Sequence, residues 1–149
     1  MRCFKTCSVQ KASDNQHIFK PGLISLRSFQ MTLPARWLTD QVAVAPQLTP
    51  GDVALAAAEG FKTIICNRPD QEGGPDQPCH DLMQTASAQA GLSFAYLPVA
   101  PGGQTPEEAQ EMGDLMAQLP KPILAYCRSG NRCIGLISLT AQLGLPIPR

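Results

Sequence analysis

Residues 123–133, I-L-A-Y-C-R-S-G-N-R-C, combine a cysteine, a short turn and an arginine in a way that could support nucleophilic chemistry. Cys127 ends an apolar run, and four residues separate it from Arg132. A tight turn that leads into a helix directs amide N–H groups and the positive helix end toward one point. In such a setting the pKa of a cysteine falls from about 8.5 to roughly 3.5–7.5. We therefore predict that Cys127 is a thiolate nucleophile.

The turn after this cysteine also predicts an anion site. The backbone amides expected to point inward belong to its four residues, Arg128, Ser129, Gly130 and Asn131. Glycine at position 130 permits the backbone angles that such a turn needs. Arg132 offers a planar guanidinium that can bind an oxyanion through two hydrogen bonds. The alternative is a structural cysteine followed by a surface arginine, but strand, turn, second arginine and helix occur in the order that the functional interpretation requires.

The surrounding segments alternate between strand and helix patterns. Apolar runs predict strands at 42–45, 62–66, 93–97 and 123–126. Helix patterns occupy the segments 50–59, 79–90, 105–119 and 131–143. This alternation predicts an α/β fold with a mainly parallel sheet flanked by helices. Ligands of such sheets bind beyond the carboxyl ends of the strands, so the loops after positions 66, 97 and 126 should share one edge.

The chain length of 149 residues suits one domain with a hydrophobic core. We expect residues 31–149 to form this domain. Residues 1–30 show no clear period and are expected to be an extension outside the core. The chain stops soon after its last predicted helix, which leaves open a domain truncated at its C-terminus.

Composition excludes several classes of partner. Twelve basic and twelve acidic residues give no net charge, so the basic footprint of a nucleic-acid-binding protein is missing. No apolar run approaches the roughly 18 residues of a membrane span. The six cysteines suggest free thiols in a reducing, cytoplasmic compartment rather than a disulfide framework. Their spacing predicts no metal site, and we expect no cofactor.

The motif C-R-S-G-N-R resembles the active-site loop of rhodanese-type sulfurtransferases. From residue 38 to residue 145 the chain more closely resembles the family named beta-lactamase hydrolase-like protein, phosphatase-like domain. The segments that carry this resemblance, besides the cysteine loop, are Q-L-T-P-G-D at 47–52, G-F-K-T-I-I-C-N-R-P-D at 60–70 and F-A-Y-L-P-V at 94–99. The resemblance implies the fold of protein tyrosine and dual-specificity phosphatases. It also implies a cysteine enzyme, named in that family both as phosphatase-like and as sulfur transferase.

Loop length bears on the choice between these activities. Tyrosine phosphatase loops resemble C-x5-R, whereas four residues separate Cys127 from Arg132 here. A smaller ring suits one transferred sulfur atom better than a tetrahedral phosphoryl group. Cys133 could serve as a resolving thiol, although packing as a small apolar group is the preferred interpretation.

The second consideration is a general acid, which a phosphatase needs to protonate the leaving oxygen. The loop at 98–104, P-V-A-P-G-G-Q, contains none. Asp70 in the R-P-D turn is the best substitute, although a plain turn role is preferred for it. Arg68, two residues before Asp70, could add positive charge to the site or could lie on the surface.

The sequence thus favours a cysteine-dependent sulfurtransferase that carries a persulfide on Cys127. Its partners would be a small anionic sulfane-sulfur donor and a thiol acceptor. The first alternative is hydrolysis of phosphomonoesters, including phosphotyrosine, through a phosphocysteine. The second is a non-catalytic module that senses anions.

Overall fold

The computed structural model describes residues 32–149, so the predicted extension at 1–30 lies outside the described residues. The strands are β1 Arg36–Trp37, β2 Val42–Ala45, β3 Thr63–Cys66, β4 Ser93–Tyr96 and β5 Ile123–Tyr126. The helices are α1 Pro50–Ala58, α2 His80–Gln89, α3 Pro106–Gln118 and α4 Asn131–Gln142. Each predicted strand and helix is confirmed to within two residues at either end.

One sheet contains all five of these strands, in the order β1-β2-β5-β3-β4. β2, β5, β3 and β4 are parallel, and only the short edge strand β1 runs antiparallel to its neighbour β2. Tyr126 pairs in register with Ala45 on one side and with Cys66 on the other. The carboxyl ends of β2, β5 and β3 are therefore level, with β5 central.

Helices cover both faces of the sheet, which confirms the predicted α/β fold. Alternate residues of each strand enter different cores, since successive side chains point to opposite faces. One core packs Ile65, Ala125 and Cys127 against residues of α3 and α4. The other packs Cys66 and Tyr126 with residues of α1 and α2. Across residues 32–149 no helix is both long and apolar enough to cross a bilayer.

The helix starts fall into two kinds. α1 and α3 begin at Thr49 and Thr105, whose hydroxyls accept hydrogen bonds from the amides of Asp52 and Glu108 in capping boxes. α4 has no side-chain cap, and its N-cap is Gly130 with φ of 90°. This left-handed conformation favours glycine, and it places the start of α4 directly after the cysteine.

Candidate active site

The cysteine loop lies at the carboxyl end of the central strand. Cys127 follows the last residue of β5, and residues 128–130 turn the chain into α4. The Gln47 amide donates a 3.2 Å hydrogen bond to the carbonyl oxygen of Arg128, which ties the loop to the segment after β2. Arg128, Ser129 and Asn131 are exposed, whereas Gly130 is buried.

The Cys127 sulfur is buried within a group of hydrogen-bond donors. The Gly130 amide donates to Sγ across 3.1 Å. The pKa of Cys127 is lowered to about 5, above all by the Cys133 thiol, and then by the amides of Cys133, Ser129 and Gly130. Burial acts in the opposite direction and is outweighed. A pKa lowered in this way favours the thiolate form of Cys127 at neutral pH.

Cys133 combines two roles in this structure. It is fully buried in the core between the sheet and helices α3 and α4, which agrees with the preferred prediction that it packs as a small apolar group. Its thiol also hydrogen bonds to Cys127, and this bond together with burial raises the pKa of Cys133 well above its ordinary value. The side chain thus remains a protonated donor while Cys127 carries the charge.

The Arg132 guanidinium is held on two sides. Nη1 donates to the carbonyl oxygen of Val99 at 3.1 Å, and Nη2 donates to Oε1 of Glu72 at 2.8 Å. The side chain is 11 % exposed. The interpretation of Arg132 as a surface residue is therefore wrong, since its guanidinium is confined between two loops.

Arg68 binds the other oxygen of the same carboxylate. Its Nε donates to Oε2 of Glu72 at 2.7 Å, and its Nη1 donates to Oε1 of Gln47 at 3.0 Å. Arg68 is only 8 % exposed, so it is not the surface arginine of the alternative interpretation. Burial raises the pKa of Glu72, but hydrogen bonds from Arg68 and Arg132 outweigh burial and lower that pKa overall.

Asp70 forms a separate cluster with the start of α2. Its carboxylate accepts a 2.8 Å hydrogen bond from the amide of His80 and pairs with Nδ1 of the same residue. The His80 ring stacks on the Tyr96 ring with centroids 4.0 Å apart, and the Tyr96 hydroxyl accepts from the Asp70 amide at 3.0 Å. The Asp70 side chain therefore anchors the turn to α2, which agrees with the preferred structural role.

Sequence reasoning did not identify Glu72, Gln47 or His80 as residues of this region. Gln47 lies in the segment Q-L-T-P-G-D, but nothing in that segment indicates a contact with the cysteine loop. The contacts of Gln47 with Arg68, His80 with Asp70 and Glu72 with Arg132 join residues 10 to 60 positions apart in the chain. Cys133 was identified only as a resolving thiol or a core residue. Its position one residue after Arg132, in the first turn of a helix, is the feature that could have indicated contact with Cys127.

Comparison with known proteins places this geometry in context. Residues 34–144 match the family described as beta-lactamase hydrolase-like protein, phosphatase-like domain. A beta-lactamase hydrolase-like protein of Agrobacterium fabrum is 30 % identical over 112 residues, which are 75 % of this chain and 26 % of that protein. The chain thus spans about a quarter of the length of the curated relatives that it matches.

Two solved structures share the fold. A candidate phosphatase from Neisseria meningitidis is 37 % identical with a TM-score of 0.66, over 74 % of this chain and 78 % of that chain. Tk-PTP in its active form is 15 % identical with a TM-score of 0.54, over 74 % and 82 % of the two chains. The second likeness concerns the fold alone. Together they confirm the predicted tyrosine-phosphatase-like architecture.

Proposed function

Because this chain belongs to the beta-lactamase hydrolase-like family with a phosphatase-like domain, we propose that it hydrolyses phosphomonoesters through a phosphocysteine at Cys127. The sequence favoured sulfur transfer, whereas the family and the fold favour this alternative. The observation that carries the proposal is the buried Cys127 sulfur, kept ionised by the Cys133 thiol and by amides at the start of α4. A thiolate in this position is a ready nucleophile.

The proposed reaction has two displacements. The Cys127 thiolate attacks phosphorus, an S–P bond forms, and the P–O bond to the leaving alcohol breaks. Water then attacks the phosphocysteine, releases inorganic phosphate and restores the thiolate. In both steps the amides of residues 128–132 and the Arg132 guanidinium would bind the equatorial oxygens, where negative charge accumulates.

The leaving oxygen needs a proton unless its own pKa is low. Glu72 is a poor donor because two arginines stabilise its ionised form. We propose Asp70, paired with His80, as the source of this proton. It is a carboxylate at the same sheet edge, and the 98–104 loop has no acid.

The proposed substrate class is a small phosphomonoester, with aryl phosphates such as phosphotyrosine favoured. Three arginines, at positions 68, 128 and 132, lie in or beside the loop, against the carboxylates of Glu72 and Asp70. This excess of positive charge would attract a dianion. Aryl leaving groups also depend least on a donated proton, which suits a site with a weakly placed acid.

Sulfur transfer is the second candidate, and the contact between two thiols favours it. Cys127 would attack a sulfane sulfur, displace the donor's leaving group and become a persulfide. A thiol of an external acceptor would then take the outer sulfur, while the adjacent Cys133 thiol would donate a hydrogen bond to the departing Cys127 thiolate. The four-residue spacing between Cys127 and Arg132 also suits this chemistry.

Two assays separate these activities. Release of phosphate from an aryl phosphate supports hydrolysis, and thiocyanate formed from thiosulfate and cyanide supports sulfur transfer. Either activity should vanish in Cys127→Ser and persist in Cys66→Ser, which changes a thiol on the opposite face of the sheet. Absence of both activities would refute the enzymatic proposals. If phosphate still bound, the anion-sensing alternative would gain support.

A further inference from the structure

A closed chain of hydrogen bonds connects the two ends of the cysteine loop. At one end the Gln47 amide donates to the Arg128 carbonyl. The Gln47 side chain accepts from Arg68, Arg68 donates to Glu72, and Glu72 accepts from Arg132 at the other end. The three side-chain bonds of this chain measure 3.0, 2.7 and 2.8 Å. We call Gln47, Arg68 and Glu72 the brace.

Each brace residue is confined by its surroundings. Arg68 is nearly buried, and a Cβ added at Gly73 would lie 2.6 Å from its Nη2, so the guanidinium packs directly on the backbone there. Gln47 donates through Nε2 to the carbonyl oxygen of Leu48, which fixes the orientation of its amide. Arg68 therefore has little room to move, and it presents Glu72 with a fixed cationic partner.

The brace leaves part of the Arg132 guanidinium available. Its bonds to Val99 and Glu72 use one N–H of Nη1 and one of Nη2. A guanidinium has five N–H groups, so three have no hydrogen-bond partner among residues 32–149 and remain for a ligand. Two fixed bonds on a planar group define its plane, which means that the remaining donors already point in set directions before an anion arrives.

We propose that Glu72 is the positioning residue for Arg132, and that Arg68 and Gln47 hold Glu72 in place for this task. This inference shares with the proposed function only the assumption that the cysteine loop binds an oxyanion. Its specific claim is that the orientation of Arg132, and with it much of the anion affinity, depends on the charge of a carboxylate from the β3–α2 loop. Arg68 then acts through Glu72 and does not touch the ligand.

Charge rather than shape is the decisive property of Glu72 in this arrangement. A glutamine has the same shape but offers one acceptor oxygen and an NH2 group. That NH2 would face the guanidinium of either Arg68 or Arg132. Since both groups are hydrogen-bond donors, no hydrogen bond could form between them. Glu72→Gln should therefore release either Arg68 or Arg132 while leaving the backbone of the loop in place.

The test measures how well inorganic phosphate protects Cys127 from iodoacetamide in the full chain. In Glu72→Gln we expect the phosphate dissociation constant to rise about 10-fold or more, because a charge-assisted hydrogen bond to the binding arginine is lost. The pH at which Cys127 is half-alkylated should stay unchanged, since the Cys133 thiol and the amides determine it. Glu111→Gln, an exposed acid on α3, is the matched control.

Every outcome is informative. Unchanged phosphate affinity in Glu72→Gln would overturn the proposal, and a shifted alkylation midpoint would show a merely structural role instead. Gly73→Ala provides a second test, because it displaces Arg68 and should weaken phosphate binding without altering Glu72 itself. If phosphate failed to protect the wild-type chain at all, the proposed anion site would be refuted rather than the role of Glu72.

Discussion

The ionisation of Cys127 depends on a neighbouring thiol as much as on the backbone. The Cys133 S–H is the strongest influence that lowers the pKa of Cys127, and the amides at the start of α4 come next. Most arguments about reactive cysteines consider helix dipoles and cationic neighbours. Here a core residue of the first helical turn supplies the main donor, and its hydrogen bond to Cys127, followed by burial, raises the pKa of Cys133 so that its own proton stays bound.

This dependence gives a first prediction. The rate of Cys127 alkylation by iodoacetamide should rise with pH to half its plateau near pH 5. Cys133→Ala should move this midpoint to higher pH, because the thiolate loses a donor, whereas Cys133→Ser should restore most of the shift through its hydroxyl. Peptide mapping of alkylated protein measures each midpoint. Identical midpoints in the wild type and in Cys133→Ala would contradict the role of the thiol.

A second prediction concerns Asp70 as a proton donor. If Asp70 supplies the leaving-group proton, Asp70→Asn should slow hydrolysis of phenyl phosphate by about 10²- to 10⁴-fold. Hydrolysis of p-nitrophenyl phosphate should slow much less, because its leaving group needs no proton. Steady-state kinetics with both substrates test this difference. Equal losses for the two would indicate that Asp70 acts only through its hydrogen bonds to His80 and α2.

Some residues of the site follow from sequence and others do not. Cys127 and Arg132 stand in one short motif whose geometry is local, so a strand, a turn and a helix suffice to place them. Glu72 and Gln47 meet the loop only through tertiary folding, and their types are unremarkable for exposed turns. The sequence also could not show that Arg68 is buried, because one of its partners, Gln47, lies 21 positions away in the chain.

At the scale of secondary structure, the start of α4 is the element that most directly forms the site. Gly130 takes a left-handed conformation and donates its amide to Cys127. A Cβ at this position would meet only the Ala45 backbone at an ordinary 3.5 Å, so conformation rather than space requires the glycine. The residue at which α4 begins therefore also stabilises the Cys127 thiolate through its amide.

A third prediction follows from this coincidence. Gly130→Ala should lower the free energy of unfolding by about 1–2 kcal/mol, the cost of a left-handed L-residue, and should raise the alkylation midpoint of Cys127. Gly91→Ala is the control, since Gly91 has φ of 77° after α2 and lies in open space. It should show a similar loss in urea unfolding with no change at Cys127. An unchanged midpoint in Gly130→Ala would argue against its amide as a donor.

The helices and central strands were predictable because their patterns are local. The ends of α1 are predictable from the Thr-Pro pair that begins it and the glycine that follows it. Apolar runs define β3 and β5. β1 was missed because its two residues, Arg36 and Trp37, are exposed and too few to show an alternation of apolar and polar side chains. They form a strand only by pairing with β2. The order of strands in the sheet likewise depends on packing between segments distant in the chain.

At the scale of the domain formed by residues 32–149, the two faces of the sheet separate the thiols at the ends of β3 and β5. Cys127 enters the face covered by α3 and α4, and Cys66 enters the face covered by α1 and α2. Burial, the largest influence there, raises the pKa of Cys66. Adjacent strand ends therefore carry one ionised and one protonated sulfur.

The fourth prediction is selective labelling. At pH 6, iodoacetamide should modify Cys127 before Cys66 and Cys133, because only the first of these three has a lowered pKa. Mass spectrometry of peptides at short reaction times measures the order. Earlier labelling of Cys66 would contradict the lowered pKa of Cys127.

The missing side-chain cap of α4 has a consequence for how the protein responds to heat. α1 and α3 begin at threonine caps, whereas α4 begins at Gly130, whose amide donates to the Cys127 sulfur. A bound phosphate would complete this helix end in place of a side chain. The melting temperature of the protein should therefore rise with phosphate concentration, corresponding to about 2.7 kcal/mol at a hundredfold excess over the dissociation constant, so that the phosphate released by the proposed reaction would also stabilise the fold.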